Sequence, residues 1–147
     1  MAVLFLASSL VSPRLARPDA LPEQAVRVAD YDIRVRLDTE AKTLDGHERI
    51  VWRNPAPEPV AELWFHLYLN AFKNSQSTFH LESGGQLRGD RMPADGWGWI
   101  EVTSIRGEDG LELSAGASFE HPDDDNDDDR TVWRVPLSKP VPPRGEL

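Results

Sequence analysis

A chain of 147 residues with a formal net charge of −9 has room for one domain with a sizeable core. Its acidity speaks against nucleic-acid and anionic-membrane partners, which select clustered Lys and Arg. There is no Cys, which excludes disulfides, thiolate zinc sites and cysteine nucleophiles, while 12 Pro and 10 Gly suit many turns between short strands.

Residues 2–11 form an apolar run about as long as a secretory h-region and too short to span a bilayer. No Lys or Arg precedes it, and Arg14 spoils the otherwise plausible cleavage point after Ala16. Residues 1–24 are read as a signal or disordered segment, which predicts a periplasmic or secreted protein whose domain occupies residues 25–147.

From Tyr31 the pattern alternates. Tyr31, Ile33, Val35 and Leu37 share one face, and Asp32, Arg34, Arg36 and Asp38 the other, which predicts a half-buried strand. Residues 39–43 are polar and turn-like, and a second strand over residues 44–53 closes an antiparallel hairpin. Asn-Pro-Ala-Pro-Glu-Pro at residues 54–59 lacks three ladder donors and must be a connection. In residues 63–69, Leu63, Phe65, Leu67 and Leu69 line one side, and Trp64, His66 and Tyr68 the other. A strand that is apolar or aromatic on both sides needs covering twice, so this one calls for a partner beyond its own sheet.

Residues 70–95 are polar and broken by Gly84, Gly85, Gly89 and Pro93, which predicts a long loop with one helical turn near residues 75–82. A strand is expected to restart at Trp97 and to end in the Gly-Glu-Asp-Gly turn of residues 107–110, with a short return strand over residues 111–113. Six Asp crowd residues 123–129, a run read as a solvated loop. Alternation resumes over residues 131–141, and the closing Pro-Pro-Arg-Gly-Glu-Leu reads as a turn into a further strand.

None of these segments carries a recognisable active site. His47-Glu48 would need a second His at position 51 to hold zinc from one helix face, but position 51 is Val and the segment is a strand. His66, His80 and His121 show no ligand spacing, and no Ser sits in a Gly-x-Ser-x-Gly elbow. A calcium loop starting at Asp123 would want Gly at its sixth position and Glu at its twelfth, where this chain has Asp128 and Arg134. No catalytic, cofactor-binding or metal-binding residue is assigned.

Leu37-Asp38, Leu44-Asp45-Gly46, Trp52-Arg53-Asn54 and Leu67-Tyr68-Leu69-Asn70-Ala71-Phe72 are together more informative. In this order and spacing they resemble the start of zinc aminopeptidases of the aminopeptidase N and leukotriene hydrolase family, gluzincin metallopeptidases. Residues 128–147 resemble a later passage of the same domain. The likeness covers residues 31–147. It implies an all-β fold, an antiparallel saddle-like β-sandwich that packs on a thermolysin-like zinc domain and helps wall the substrate cleft. The family's His-Glu-x-x-His helix, its downstream Glu ligand and its Gly-x-Met-Glu-Asn strand have no counterpart here. The expectation is therefore a partial N-terminal domain, truncated before the catalytic domain and inactive alone. Zinc and a peptide substrate are expected only in the intact enzyme, and the missing downstream domain is the expected partner. A stand-alone secreted β-sandwich that binds peptide or carbohydrate is the alternative.

Overall fold

The computed structural model describes residues 26–147, so the signal-segment reading of residues 1–24 lies outside the described residues. The fold is all-β, with antiparallel sheets and little helix. The predicted hairpin forms, with β1 (Ala29–Asp38) pairing β2 (Thr43–Trp52) through ten consecutive residue pairs. The carboxylate of Asp38 accepts from the amides of Glu40 and Ala41 and so closes the turn between them.

The apolar face of β1, expected to be half-buried, is not. Tyr31, Ile33, Val35, Leu37 and the facing Leu44 are each between 57% and 69% exposed. Alternation did set which residues share a face. The cover is absent because, among the described residues, no other strand or helix packs on the hairpin.

The second sheet has the order β3–β7–β6, where β3 is Val60–His66, β6 is Ser118–Glu120 and β7 is Val132–Val141. Its register separates two faces. Leu63 lies opposite Val135, and Phe65 opposite Trp133, which faces Phe119 in turn. This is the inner face, and it holds the buried apolar residues Trp133 and Val135, with Val141 buried further along β7. The 3-10 turn Ser114–Gly116 packs on β7. Pro136 sits in the central strand where β6 has already ended and the β3 register shifts, so its missing N–H interrupts little.

Between the long strands the expected helical turn forms, and the other expectations change. β3 stops at His66: Leu67 still donates to Thr131 O in the register of the ladder, and Tyr68–Phe72 then tightens into a 3-10 turn. The expected helical turn is the short helix α1, Thr78–Ser83, which ends on Gly84 in the left-handed conformation at φ 61°. It is followed by a small hairpin of β4 (Gln86–Leu87) and β5 (Asp90–Arg91). No strand restarts at Trp97. There, Gly98 donates to Phe72 O and Ile100 to the Asn70 side chain, and these bonds replace a ladder. Farther on, one bridge, Arg106 with Glu112, stands for the expected return strand. No described helix is long and apolar enough to cross a membrane.

Candidate interaction surface

Two buried asparagines hold the frame of this surface. Asn54 donates from Nδ2 to the carbonyls of Glu58, Val141 and Pro142, and its Oδ1 accepts from Ala56 N. A single side chain thus ties the proline-rich connection to the end of β7. Around it the last residues close on β2. Trp52 and Leu147 exchange both backbone bonds at 2.9 Å, and Arg53 pairs with Glu146. Asn70 does the same at the other end of β3, donating to Arg130 O and accepting from Ile100 N, both at 2.9 Å. Buried amides whose nitrogen and oxygen both find partners fix a geometry that apolar packing alone would leave loose.

Between these pins the outer face of the β3–β7–β6 sheet carries Trp64 opposite Arg134, which faces Ser118 in turn, and His66 opposite Val132, which faces Glu120. Trp64 is 51% exposed and Tyr68 73%, while the rings of His66 and Tyr68 stand 4.0 Å apart. This is an aromatic strip with nothing over it among the described residues. The strip is edged by an ion-pair ladder across all three strands. Arg134 Nε meets Glu62 at 2.6 Å, and its Nη1 reaches Glu120 at 3.4 Å. The Trp64 indole N–H also donates to Glu62.

These bonds shift the acids. The Arg134 guanidinium, and then the Trp64 N–H, hold the Glu62 carboxyl below its usual range. For Glu120 the Ser118 hydroxyl is the chief cause of a downward shift, with Arg134 adding to it against partial desolvation. Both acids stay ionised at neutral pH, so the strip presents aromatic faces beside fixed, internally paired charge. Such a surface can bind by burial and stacking.

The acidic run is less solvated than its charge predicts. Thr78 Oγ1 donates to Asp124 at 2.5 Å, Asn126 Nδ2 to Gln76 O at 2.8 Å, and Thr78 N to Asp129 at 3.2 Å. The loop folds back to receive donors around the start of α1, which Ser77 also caps by accepting from His80 N. Burial alone would raise the Asp129 pKa, but the Thr131 hydroxyl and amide and the Thr78 donors outweigh it and leave the group lowered.

The four histidines stay apart. His47 lies on β2 opposite Arg34, His66 on the aromatic strip, and His80 in α1 with its ring 5.5 Å from Trp97. His121 lines a cavity of about 50 Å³ with Asp123, Asp124 and Asp129, and its buried Nε2 has no hydrogen-bond partner. No three His, Asp or Glu side chains among the described residues converge as a metal site. The described residues therefore do not fit the zinc ion of the intact enzyme that the sequence resembles. No family model matches the chain, and no curated protein or solved structure matches it either.

Proposed function

We propose that the chain is a non-catalytic N-terminal β-domain portion of a zinc aminopeptidase-type metallopeptidase, of the aminopeptidase N and leukotriene hydrolase kind. In that role it packs on a thermolysin-like catalytic domain and helps wall a cleft for peptide substrates, in a periplasmic or secreted setting. In such an enzyme the catalytic domain, not this chain, would hold zinc, which would supply an activated water. This chain supplies the wall.

The observation that carries the reading is the open strip Trp64–His66–Tyr68, which runs into the Leu67–Phe72 stretch of the resemblance. Exposed aromatics on a rigid sheet are a surface built to be covered. The asparagines within two of the matched motifs, Asn54 and Asn70, are buried pins of the frame. A likeness that rests on frame residues, with no catalytic residue among them, suits a supporting domain.

The test has two steps. A His-Glu-x-x-His catalytic domain must be encoded in frame with this chain. That domain, purified separately, should form a one-to-one complex with residues 1–147, and Trp64→Ala with Tyr68→Ala should abolish the complex. Absence of such a domain, or a complex indifferent to the double substitution, sinks the reading. Carbohydrate binding that quenches Trp64 fluorescence, with no catalytic domain in the gene, would favour the stand-alone module instead.

A further inference from the structure

The outer edge of β1 is ten residues long, and no residue of the described chain pairs with it. It carries no proline and no bulge, two of the devices that keep such an edge from pairing. Arg53 N donates to Val28 O, and these two residues continue the β1–β2 register, so the even-numbered residues of β1 spend their backbone bonds on β2. The N–H and C=O groups of Ala29, Tyr31, Ile33, Val35 and Leu37 therefore point outward, unpaired among the described residues.

The side chains around that edge are self-complementary in one register only. If two copies of β1 run antiparallel with a two-fold axis at Ile33, Asp32 of each lies opposite Arg34 of the other, and Asp30 opposite Arg36. The same alignment sets Tyr31 beside Val35 and Ile33 beside its own copy, so the apolar faces merge. A slip of two residues one way opposes Asp32 to Asp32. A slip the other way opposes Arg34 to Arg34 and Asp30 to Asp38. A slip of one residue mixes the apolar and charged faces. The even positions, already bonded to β2, would form the close, non-hydrogen-bonded pairs of the new seam, about 4.5 Å between Cα atoms, where opposite charges meet best. In the single chain, Arg34 and Arg36 make only loose contacts of 3.7 Å and 3.8 Å, to Asp32 and Asp45, with all four side chains largely exposed.

We propose that β1 is an isologous dimerisation edge, joining two copies of this chain into a continuous four-stranded sheet β2–β1–β1–β2 with its axis at Ile33. A two-fold interface of this type closes on itself, so assembly stops at two. The β2 edge does not compete over its last residues, because Trp52 already exchanges both backbone bonds with Leu147. The proposal uses a different surface from the aromatic strip and does not depend on the reading of that strip.

The chain contains no Cys, so introduced ones report cleanly. Paired residues on the axis stand about 5.5 Å apart at Cα, within disulfide reach. Full-length Ile33→Cys should oxidise to a covalent dimer, while Val35→Cys, four positions from its copy in this register, should not. In sedimentation, Arg34→Glu should weaken the dimer on the order of tenfold or more, and Asp32→Arg added to Arg34→Glu should restore it by exchanging the paired charges. Circular dichroism of each variant checks that the strands persist. A wild-type chain that stays monomeric at its highest soluble concentration overturns the proposal. So does equal cross-linking through residues 33 and 35, or a dimer indifferent to Arg34→Glu.

Discussion

The β1–β2 hairpin and the β3–β7–β6 sheet divide regularity and burial between them. The hairpin has ten unbroken residue pairs, and its large apolar side chains are mostly in solvent. The three-stranded sheet has a register shift, two prolines in its central strand and one strand of three residues, yet it holds Trp133 and Val135. A ladder of backbone bonds exchanges water partners for protein partners at small net gain, whereas removing apolar area from water gains roughly 25 cal/mol per Å². An isolated two-stranded ribbon is marginal at best. Stability should therefore be concentrated in the less regular sheet.

Truncating Trp133 to Ala puts the largest strain on that contrast. The ring is 7% exposed and stands 5.9 Å from Phe65, so its loss should cost about 3–5 kcal/mol. Tyr31→Ala on the hairpin, measured at dilutions that keep the chain monomeric, should stay within about 0.5 kcal/mol of wild type. Urea unfolding of both variants decides. Equal losses would mean that something covers the hairpin even in the monomer.

Asn70→Ala sharpens the comparison at intermediate size. It leaves Arg130 O and Ile100 N without their partner at a part-buried site, a cost of about 1 kcal/mol. The loss should localise. Amide exchange should quicken at Ile100 and Leu67 and remain unchanged in β1 and β2. Uniform quickening would show that hairpin and sheet unfold as one unit, and the contrast would collapse.

What could be read from sequence follows the same division. Period-two alternation placed β1 and β2 within a residue or so and marked Trp64, His66 and Tyr68 as a face in need of cover. Periodicity says which side chains share a face. It does not say what lies over them, so the half-buried strand came out bare. The strand expected over residues 63–69 ends at His66, because Asn70 finds its partners 30 and 60 positions away, and those contacts leave no local trace. The ladder Glu62–Arg134–Glu120 was hidden for the same reason, since Glu62 and Arg134 meet across 72 positions. Charge placed Asp123, Asp125, Asp127 and Asp128 in solvent, where they are, and missed what holds the rest of the run. Six like charges suggest a solvated loop, but the start of α1 offers donors, and Asp124, Asn126 and Asp129 turn back to take contacts there.

The smallest expected effect concerns the loop that lies against β7. Glu112 accepts from the Ser104 and Ser114 hydroxyls at 2.6 Å and 2.7 Å and from Ile105 N at 2.9 Å. The Ser104 bond is the leading cause, followed by those from Ser114 and Ile105, of a carboxyl pKa lowered from 4.5 to about 2. A folded value below the unfolded one stabilises the loop wherever the unfolded carboxyl is already ionised. That contribution is complete above about pH 4.5 and is lost as pH falls toward 2. The Ser114–Gly116 turn packs on β7, so loosening here should register in the sheet. Carbon-detected NMR should show Glu112 titrating well below the usual carboxylate range, with the Ile105 amide resonance moving along the same curve. Glu112→Gln should remove that curve while leaving the fold in place at neutral pH. A Glu112 midpoint near 4.5 would mean that the Ser104 and Ser114 hydroxyls point elsewhere in solution, and the loop would then have to be held by Leu113 N on Ile105 O and Gly107 N on Leu111 O alone.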